Sequence, residues 1–325
     1  MSKKGNEGNE WNERVRERDG SFLQSAEWAD FQENRGRMVS RLVTGSFVGL
    51  AVRYPLPGGL SYVYLPHGPI LTSYGAAPFE ALTHAVRTEA AGALFVRVEP
   101  TGHDIETLAR MLTAAGFIRT TDAQPSETRH IDLTRTEEEL LADMEHDTRY
   151  AIRAAEKRGV RVRVITDRSE RIREFAKFWT IFSETARRHE LVNYPESYYR
   201  DVVALEGECP ATLFLADHEG TCIGGAISVT FGMKATYFYA ASASGYGRLN
   251  APSAILWEVI REAKRRGVRV LDLWGESDSK PAWKGITAFK RSFGGTSVRT
   301  VGTWDLPLRP FWYRVYGFAT RFRRH

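Results

Sequence analysis

Apolar positions along the chain change period repeatedly, and each change marks an element. Ser21 is an N-cap for a helix running to Gly36, because Phe22, Trp28 and Phe31 fall near helical spacing. The next run, MVSRLVTGSFVGLAVRYPLPGGLSYVYLP, is rich in β-branched and aromatic residues and is cut into strands at Gly45 and at the turn Pro55 to Gly59. Helix, buried strand and helix follow over 77–91, 93–98 and 105–115, the last stopped by Gly116. The second half has the same grammar. A helix over 137–158 stopped by Gly159, a strand over 160–165 and helices over 171–189 and 198–205 precede three strands, ATLFLAD, TCIGGAISVTF and KATYFYAAS, with turns at His218 to Gly220 and at Gly232. A helix over 253–266 and the strand VRVLDLWG complete a β-β-β-α-β run. The predicted class is mixed α/β (α+β) with mostly antiparallel sheets, and the similar rhythm of the halves suggests a duplicated fold.

Composition agrees with two folded domains. Hydrophobic residues at 42%, aromatic at 12% and charged at 26% exclude a disordered, collagenous or disulfide-framework chain. Its 325 residues suit two cores of about 150 residues each. A formal net charge of +5 suits a polyanionic partner without requiring one. Cys209 and Cys222 are too few for a zinc site and fit a reducing compartment. No stretch reaches the roughly 18 apolar residues of a spanning helix. The polar N-terminus carries no signal sequence, so a cytoplasmic location and a loose, disordered tail over 1–20 are expected.

A β-meander followed by helix and strand is the layout of the GNAT acyltransferase fold, and fold alone does not give function. The acyl-CoA enzymes of that fold hold pyrophosphate on a Gln/Arg-x-x-Gly-x-Gly/Ala loop at a helix start. Here SASGYG has Ser242 in place of the basic or amide residue, which weakens a CoA reading. Arg149, Arg153 and Lys157 lie at i, i+4 and i+8 of a helix and so share one face. That row fits phosphates, of tRNA or of a nucleotide, and equally a solvated face. The RRHE run at Arg187 to Glu190 reads as solvated. His67, leaving a strand into a Pro-Gly-Pro turn, reads as structural, whereas Glu99 in VRVEP offers a carboxylate to accept a proton or orient an amine. Asp272, Glu276 and Asp278 could meet a cationic amino acid, but their spacing matches no metal site, and no metal is expected. The C-terminal LRPFWYRVYGFATRFRRH interleaves Arg309, Arg314, Arg321, Arg323 and Arg324 with six aromatic residues. Such a segment suits an anionic membrane surface, nucleic acid or packing on the first domain.

Eight stretches in order resemble the FemABX family of peptidoglycan aminoacyltransferases. They are FLQSAEWADF, YVYLPHGPIL, LFVRVEP, QPSETRHIDL, MEHDTRYAIRAAEKRGV, FSETARRHELVNYPESYY, the GGAISV to DLWG block, and ITAFKRSFGGTSVRTVGTWDLP. The resemblance implies two GNAT-like domains in tandem, 21–146 plus a returning 304–325 and 147–303, without the coiled-coil arm of longer members. It implies transfer of an amino acid from aminoacyl-tRNA, as co-substrate and without a further cofactor, to the stem peptide of a UDP- or lipid-linked muropeptide. It points to Lys290 as oxyanion stabiliser and to the backbone carbonyl of Phe289 as a partner of the attacking amine. The family's acceptor-binding lysine and tryptophan are replaced here by Gln32 and Asn34, and its diphosphate-gripping arginine by Tyr194. Tyr198, Tyr237 and Tyr239 remain as sugar or peptide contacts, with burial in strands as the alternative.

The leading expectation is therefore an aminoacyl-tRNA-dependent aminoacyltransferase of peptidoglycan synthesis, peripheral at the inner membrane face if its acceptor is lipid-linked. The rivals are an acyl-CoA N-acyltransferase acting on an amino sugar or polysaccharide, and a non-enzymatic RNA- or membrane-binding module.

Overall fold

Seven strands form each of two sheets, and the chain divides between them at residues 126/127 and 298/299. The computed structural model describes residues 3–72, 75–102, 104–188 and 194–322.

The first unit opens with α1 (Lys3–Arg16), a 3-10 turn and α2 (Ala26–Asn34). Then come β1 (Met38–Val43), β2 (Phe47–Leu56), β3 (Leu60–Leu65), β4 (Ile70–Leu71), α3 (Ala76–Glu89), β5 (Phe95–Val98), α4 (Ile105–Ala114) and β6 (Ile118–Arg119). In α2, Ser25 rather than Ser21 is the N-cap, its hydroxyl accepting from Trp28 N at 3.0 Å, while Ser21 caps the preceding 3-10 turn. The apolar faces of α3 and α4 lie on β2, β3 and β5 in a core that includes Phe47, Leu65, Leu82, Val96 and Leu112.

The N-terminus departs from expectation. Instead of a loose tail it forms α1, whose Trp11 and Val15 are buried. Trp11 Nε1 donates to Gln24 O at 2.7 Å, and Asn12 Oδ1 accepts from Ala26 N at 2.7 Å. Two apolar residues and one amide in a polar sequence suffice to dock it.

The second unit starts at β7 (Glu127–Asp132) and continues through α5 (Glu137–Asp143), α6 (His146–Lys157), β8 (Arg161–Ile165), α7 (Arg168–Arg188) and α8 (Glu196–Val203). The meander β9 (Ala211–His218), β10 (Thr221–Phe231) and β11 (Lys234–Ser242) leads into α9 (Ala251–Arg265), β12 (Val270–Gly275), α10 (Lys284–Arg291) and β13 (Thr296–Arg299). Strand order is β13-β7-β12-β11-β10-β9-β8, with β11 and β12 parallel. Successive side chains of a strand point to opposite faces. A Cβ on Gly224 would meet Ile255 of α9, whereas one on Gly225 would meet Phe178 of α7, so these helices cover opposite faces. The boundary falls at 126 rather than 146 because β7 pairs with β12, which commits it to this sheet.

The single helix expected over 137–158 is two. Met144 and Glu145 take extended ψ values of 153° and 150°, and the Glu145 amide donates to Ser292 O at 2.9 Å instead of continuing the helix. The chain then returns to the first unit as β14 (Trp304–Pro307), inserted between β5 and β6, and α11 (Pro310–Phe322). Asp305 on β14 accepts two hydrogen bonds from Arg97 of β5, each 2.8 Å.

Because Trp11 is buried and hydrogen-bonded, Trp11→Ala is expected to destabilise the first unit by about 3–5 kcal/mol in denaturant unfolding. A loose tail would give no change.

Candidate active site

Lys290 lies in the last turn of α10 and is only 4% exposed. A buried ammonium needs partners, since desolvation disfavours its charged form. Its Nζ donates to Gly275 O at 2.5 Å. Burial pulls its pKa down to about 8, against the opposing pull of the Asp272 and Glu276 charges.

Gly275 is presented by a β-bulge. The β12–β7 register shifts between Asp272 and Gly275, and Trp274 takes φ 64°. Left-handed backbone on a bulky residue is unfavourable, so the surroundings must hold it. Trp274 N donates to Asp272 Oδ1 at 2.8 Å, and the Phe238 ring packs edge-on against the indole at 5.3 Å. Burial pushes the Asp272 carboxyl up, but His130, with Nε2 at 3.6 Å, and the Trp274 amide outweigh it and hold it below its usual range. Burial likewise pushes Glu276 up, and Arg129, Ser297 and Arg291 more than offset it. Arg129 Nε lies 2.9 Å and Arg291 Nε 3.5 Å from Glu276 Oε2. The other oxygen, Oε1, is buried and has no hydrogen-bond partner among the described residues.

After α10 the chain turns sharply at Gly294 and Gly295, with φ 79° and 73°. A Cβ on the first would overlap Asp143 and one on the second the His130 carbonyl, so glycine is required at both for space as well as conformation. Arg129 Nη1 donates to both glycine carbonyls, at 2.9 and 2.8 Å.

Phe289 is half-buried, its ring 5.3 Å from that of Phe293. Its carbonyl lies at the helix end, where intrahelical partners run out. Ser292 Oγ donates to it at 2.8 Å and in turn accepts from Thr148 Oγ1 of α6 at 2.8 Å. A carbonyl has two lone pairs, so this leaves capacity for one more donor.

The basic row of α6 does not act as one. The Arg149 guanidinium folds back onto the carbonyls of Leu141, at 3.3 Å, and Met144, satisfying the end of α5. Arg153 and Lys157 are exposed and, among the described residues, form no ion pair. The tyrosines also separate. The β10–β11 register shifts so that Ile227 faces Tyr239 and Ser228 faces Tyr237, leaving Phe238 as the extra residue. In consequence Tyr237 points into the core beneath α9, whereas Tyr239 joins Phe182 of α7 and Tyr199 of α8. Burial pushes the Tyr237 hydroxyl up, and burial with a hydrogen-bonded Tyr198 does so for Tyr239. Tyr198 also stacks on Tyr194 at 4.1 Å.

Glu99 belongs to the first unit and is fully engaged there. Its Oε2 accepts from Tyr64 Oη at 2.7 Å and His67 N at 3.1 Å, and its Oε1 from Thr303 Oγ1 at 2.6 Å and Gln124 N at 2.9 Å. This carboxylate ties β3, the His67 turn and the returning chain together, which is a structural task. Asp278 is exposed and paired with Arg291 at 2.7 and 3.0 Å. SASGYG ends in a 3-10 turn that begins at its Gly247, and Asn250 at φ 58° stands between that turn and α9, so the motif does not form the helix's first turn. His189 and Glu190 of the RRHE run, and Arg323 and Arg324, lie outside the described residues.

Arg129, His130, Trp274 and Ser292 were not singled out from sequence. The available signal was that all four fall inside stretches carrying the family resemblance.

The model of the FemAB family matches residues 101–218 and 208–321, a span that contains every residue of this cluster. The chain belongs to the FemAB family. It is thereby an acyltransferase of the peptidoglycan-bridge class. No curated protein matches it in sequence. Among solved structures, FemX is similar with a TM-score of 0.80 and 19% identity, over 95% of this chain and 98% of that one. L-PGS from Bacillus licheniformis gives a TM-score of 0.53 and 11% identity, over 91% and 95%. The GCN5-related glucosamine N-acetyltransferase region of a fungal multi-domain GH3 β-N-acetylglucosaminidase gives 0.50 and 12%, over 92% of this chain and 37% of that one. At these identities the likeness concerns the fold, which is the expected tandem of GNAT-like units.

Lys290 generates a prediction with a defined sign. Its pKa is near 8 when folded against an ordinary 10.5, so between those values the unfolded chain binds the extra proton and folding stability rises with pH. Lys290→Met lacks that contribution. The unfolding free energy of wild type relative to Lys290→Met is therefore expected to increase from pH 8 to pH 10, measured by urea denaturation. In the same assay Arg149→Ala should cost about 1–2 kcal/mol, while Arg153→Ala and Lys157→Ala stay within about 0.5 kcal/mol.

Proposed function

We propose that this FemAB-family protein transfers an amino acid from aminoacyl-tRNA to an amine of the stem peptide of a peptidoglycan precursor. The match of the family model across residues 101–321, with Lys290 buried among compensating charges inside that span, carries the reading. The substrate is an activated ester. A neutral amine attacks its carbonyl carbon and forms the C–N bond, and the carbonyl oxygen gathers negative charge. Collapse breaks the C–O bond, the terminal ribose hydroxyl leaves with a proton, and the amine loses one.

Aligning the reactants and stabilising the oxyanion are the main demands. Lys290 is assigned the second. One of its three N–H groups is held by Gly275 O, which fixes the ammonium and leaves two donors. The remaining lone pair of the Phe289 carbonyl accepts an N–H of the attacking amine and orients it. Arg153 and Lys157, exposed on α6, are assigned to tRNA phosphates, and Tyr198 and Tyr239 to the acceptor. Tyr237 is dropped from the acceptor contacts because it faces the core. The donor tRNA is the co-substrate, and the chemistry assigned to these residues calls on no metal or CoA. Among the described residues no helix is long and apolar enough to cross a membrane.

The test is purified protein with bulk charged tRNA and either UDP-linked or lipid-linked muropeptide, read by product mass with and without RNase. The expected product gains one amino-acid mass, disappears with RNase, and forms about 100- to 1,000-fold more slowly with Lys290→Ala. Turnover with acyl-CoA and without tRNA would instead establish the rival donor.

A further inference from the structure

We propose that the outer face of α11 is a docking surface for an anionic lipid bilayer. The helix has two sides of different character. On the inner side Tyr313 Oη donates to Asp305 Oδ2 at 3.0 Å, and the rings of Tyr313 and Tyr316 lie 5.3 and 5.0 Å from Phe95 of β5. These contacts fix the helix's rotation on the first unit. The opposite side then carries Phe311 at 70% exposure, Trp312 at 48%, Val315 at 43% and Phe318 at 65%. Phe311, Val315 and Phe318 fall at i, i+4 and i+7, a continuous apolar stripe.

Charge selects the occupant. Arg314, on the helix, and Arg309, the residue that precedes it, are exposed, and no acidic residue follows Asp305 in the sequence. Cations accompanying an exposed aromatic and aliphatic stripe match the headgroup region of an anionic bilayer, where arginines meet phosphates and the apolar side chains enter the acyl boundary. Nucleic acid explains less. Aromatic rings can stack on bases, but Val315 has no such use. At 13 residues the helix is too short to span, so it lies in the interface. The proposal concerns α11 alone and does not depend on the reaction assigned above, because binding is read without substrates.

The test is co-sedimentation of the full-length protein with vesicles of phosphatidylglycerol and phosphatidylethanolamine, and separately of phosphatidylcholine. Binding to the anionic vesicles is expected, weakening with salt. The double variant Phe311→Ser, Phe318→Ser alters only exposed side chains and should reduce the partition coefficient at least about tenfold. Arg309→Gln with Arg314→Gln should remove most of the preference for anionic over neutral vesicles. Near-ultraviolet circular dichroism of each variant checks that the first unit remains folded. The proposal is overturned if wild type does not sediment with anionic vesicles, or if the Phe variant sediments as wild type does. It is equally overturned if the Phe variant loses binding to bulk tRNA while retaining vesicle binding, or if wild type is a dimer that this variant dissociates without affecting vesicle binding.

Discussion

Burying the ammonium of Lys290 sets the terms for the second unit around it. A cation withdrawn from water needs a fixed oxygen nearby and negative charge within range, and each of those groups then needs support of its own. Gly275 O provides the oxygen and Asp272 and Glu276 the charge. Asp272 is held by His130 and the Trp274 amide, and Glu276 by Arg129 and Arg291. Arg129 extends to the Gly294 and Gly295 carbonyls, and the Gly295 amide donates to Asp143 at 3.1 Å. One buried charge thus specifies groups on β7, β12, α10 and the end of α5. Removing a partner from such a network exposes the charge it served, which is why sites of this kind tolerate little substitution.

Two bulges on neighbouring strands give that network its geometry. Each inserts one residue, and a single extra residue reverses which face the following side chains address. On β12 the bulge at Trp274 presents the Gly275 carbonyl to Lys290. On β11 the bulge at Phe238 sends Tyr239 toward α7 and α8 and leaves Tyr237 in the core beneath α9. The two rings at the bulges pack on each other, so the irregularities are coupled by direct contact.

Much of the architecture was legible because it depends on local signals. The meander β9 to β11, its turns at Gly220 and Gly232, and the helices stopped by Gly116 and Gly159 follow from alternation and from glycine at positive φ. The misses are tertiary. No local rule separates Met144 and Glu145 from the helices on either side; the Ser292 carbonyl, far along the chain, captures the amide that the helix would have used. The α1 helix has too few apolar residues for periodicity to register, yet Trp11 and Asn12 find partners at Gln24 and Ala26. In the site, Lys290 was reached through resemblance, and its burial could not be read from a sequence that also suits a surface lysine. The shared face of Arg149, Arg153 and Lys157 was a correct reading of helical spacing, but spacing does not reveal that the first would be drawn to the carbonyls ending α5. Tyr237 and Tyr239 were named together as acceptor contacts, and sequence alone cannot anticipate the bulge that sends them to opposite faces.

The same network bears on the proposed chemistry through its sign. An oxyanion stabiliser flanked by two bare carboxylates would be self-defeating, since their field would cancel that of the ammonium. Here Glu276 faces two guanidinium groups and Asp272 faces an imidazole and a backbone amide, so neither carboxylate is bare. Lys290 keeps enough carboxylate influence to remain mostly protonated near neutral pH, its pKa being about 8, while Arg129 and Arg291 offset the charge that would oppose an incoming anion. The desolvation of the ammonium is met during folding, so the donor is already stripped of water and oriented when the ester arrives. A surface lysine of equal charge would have to shed solvent during the reaction itself, and that difference is the physical case for placing the oxyanion at Lys290 rather than at the exposed cations of α6.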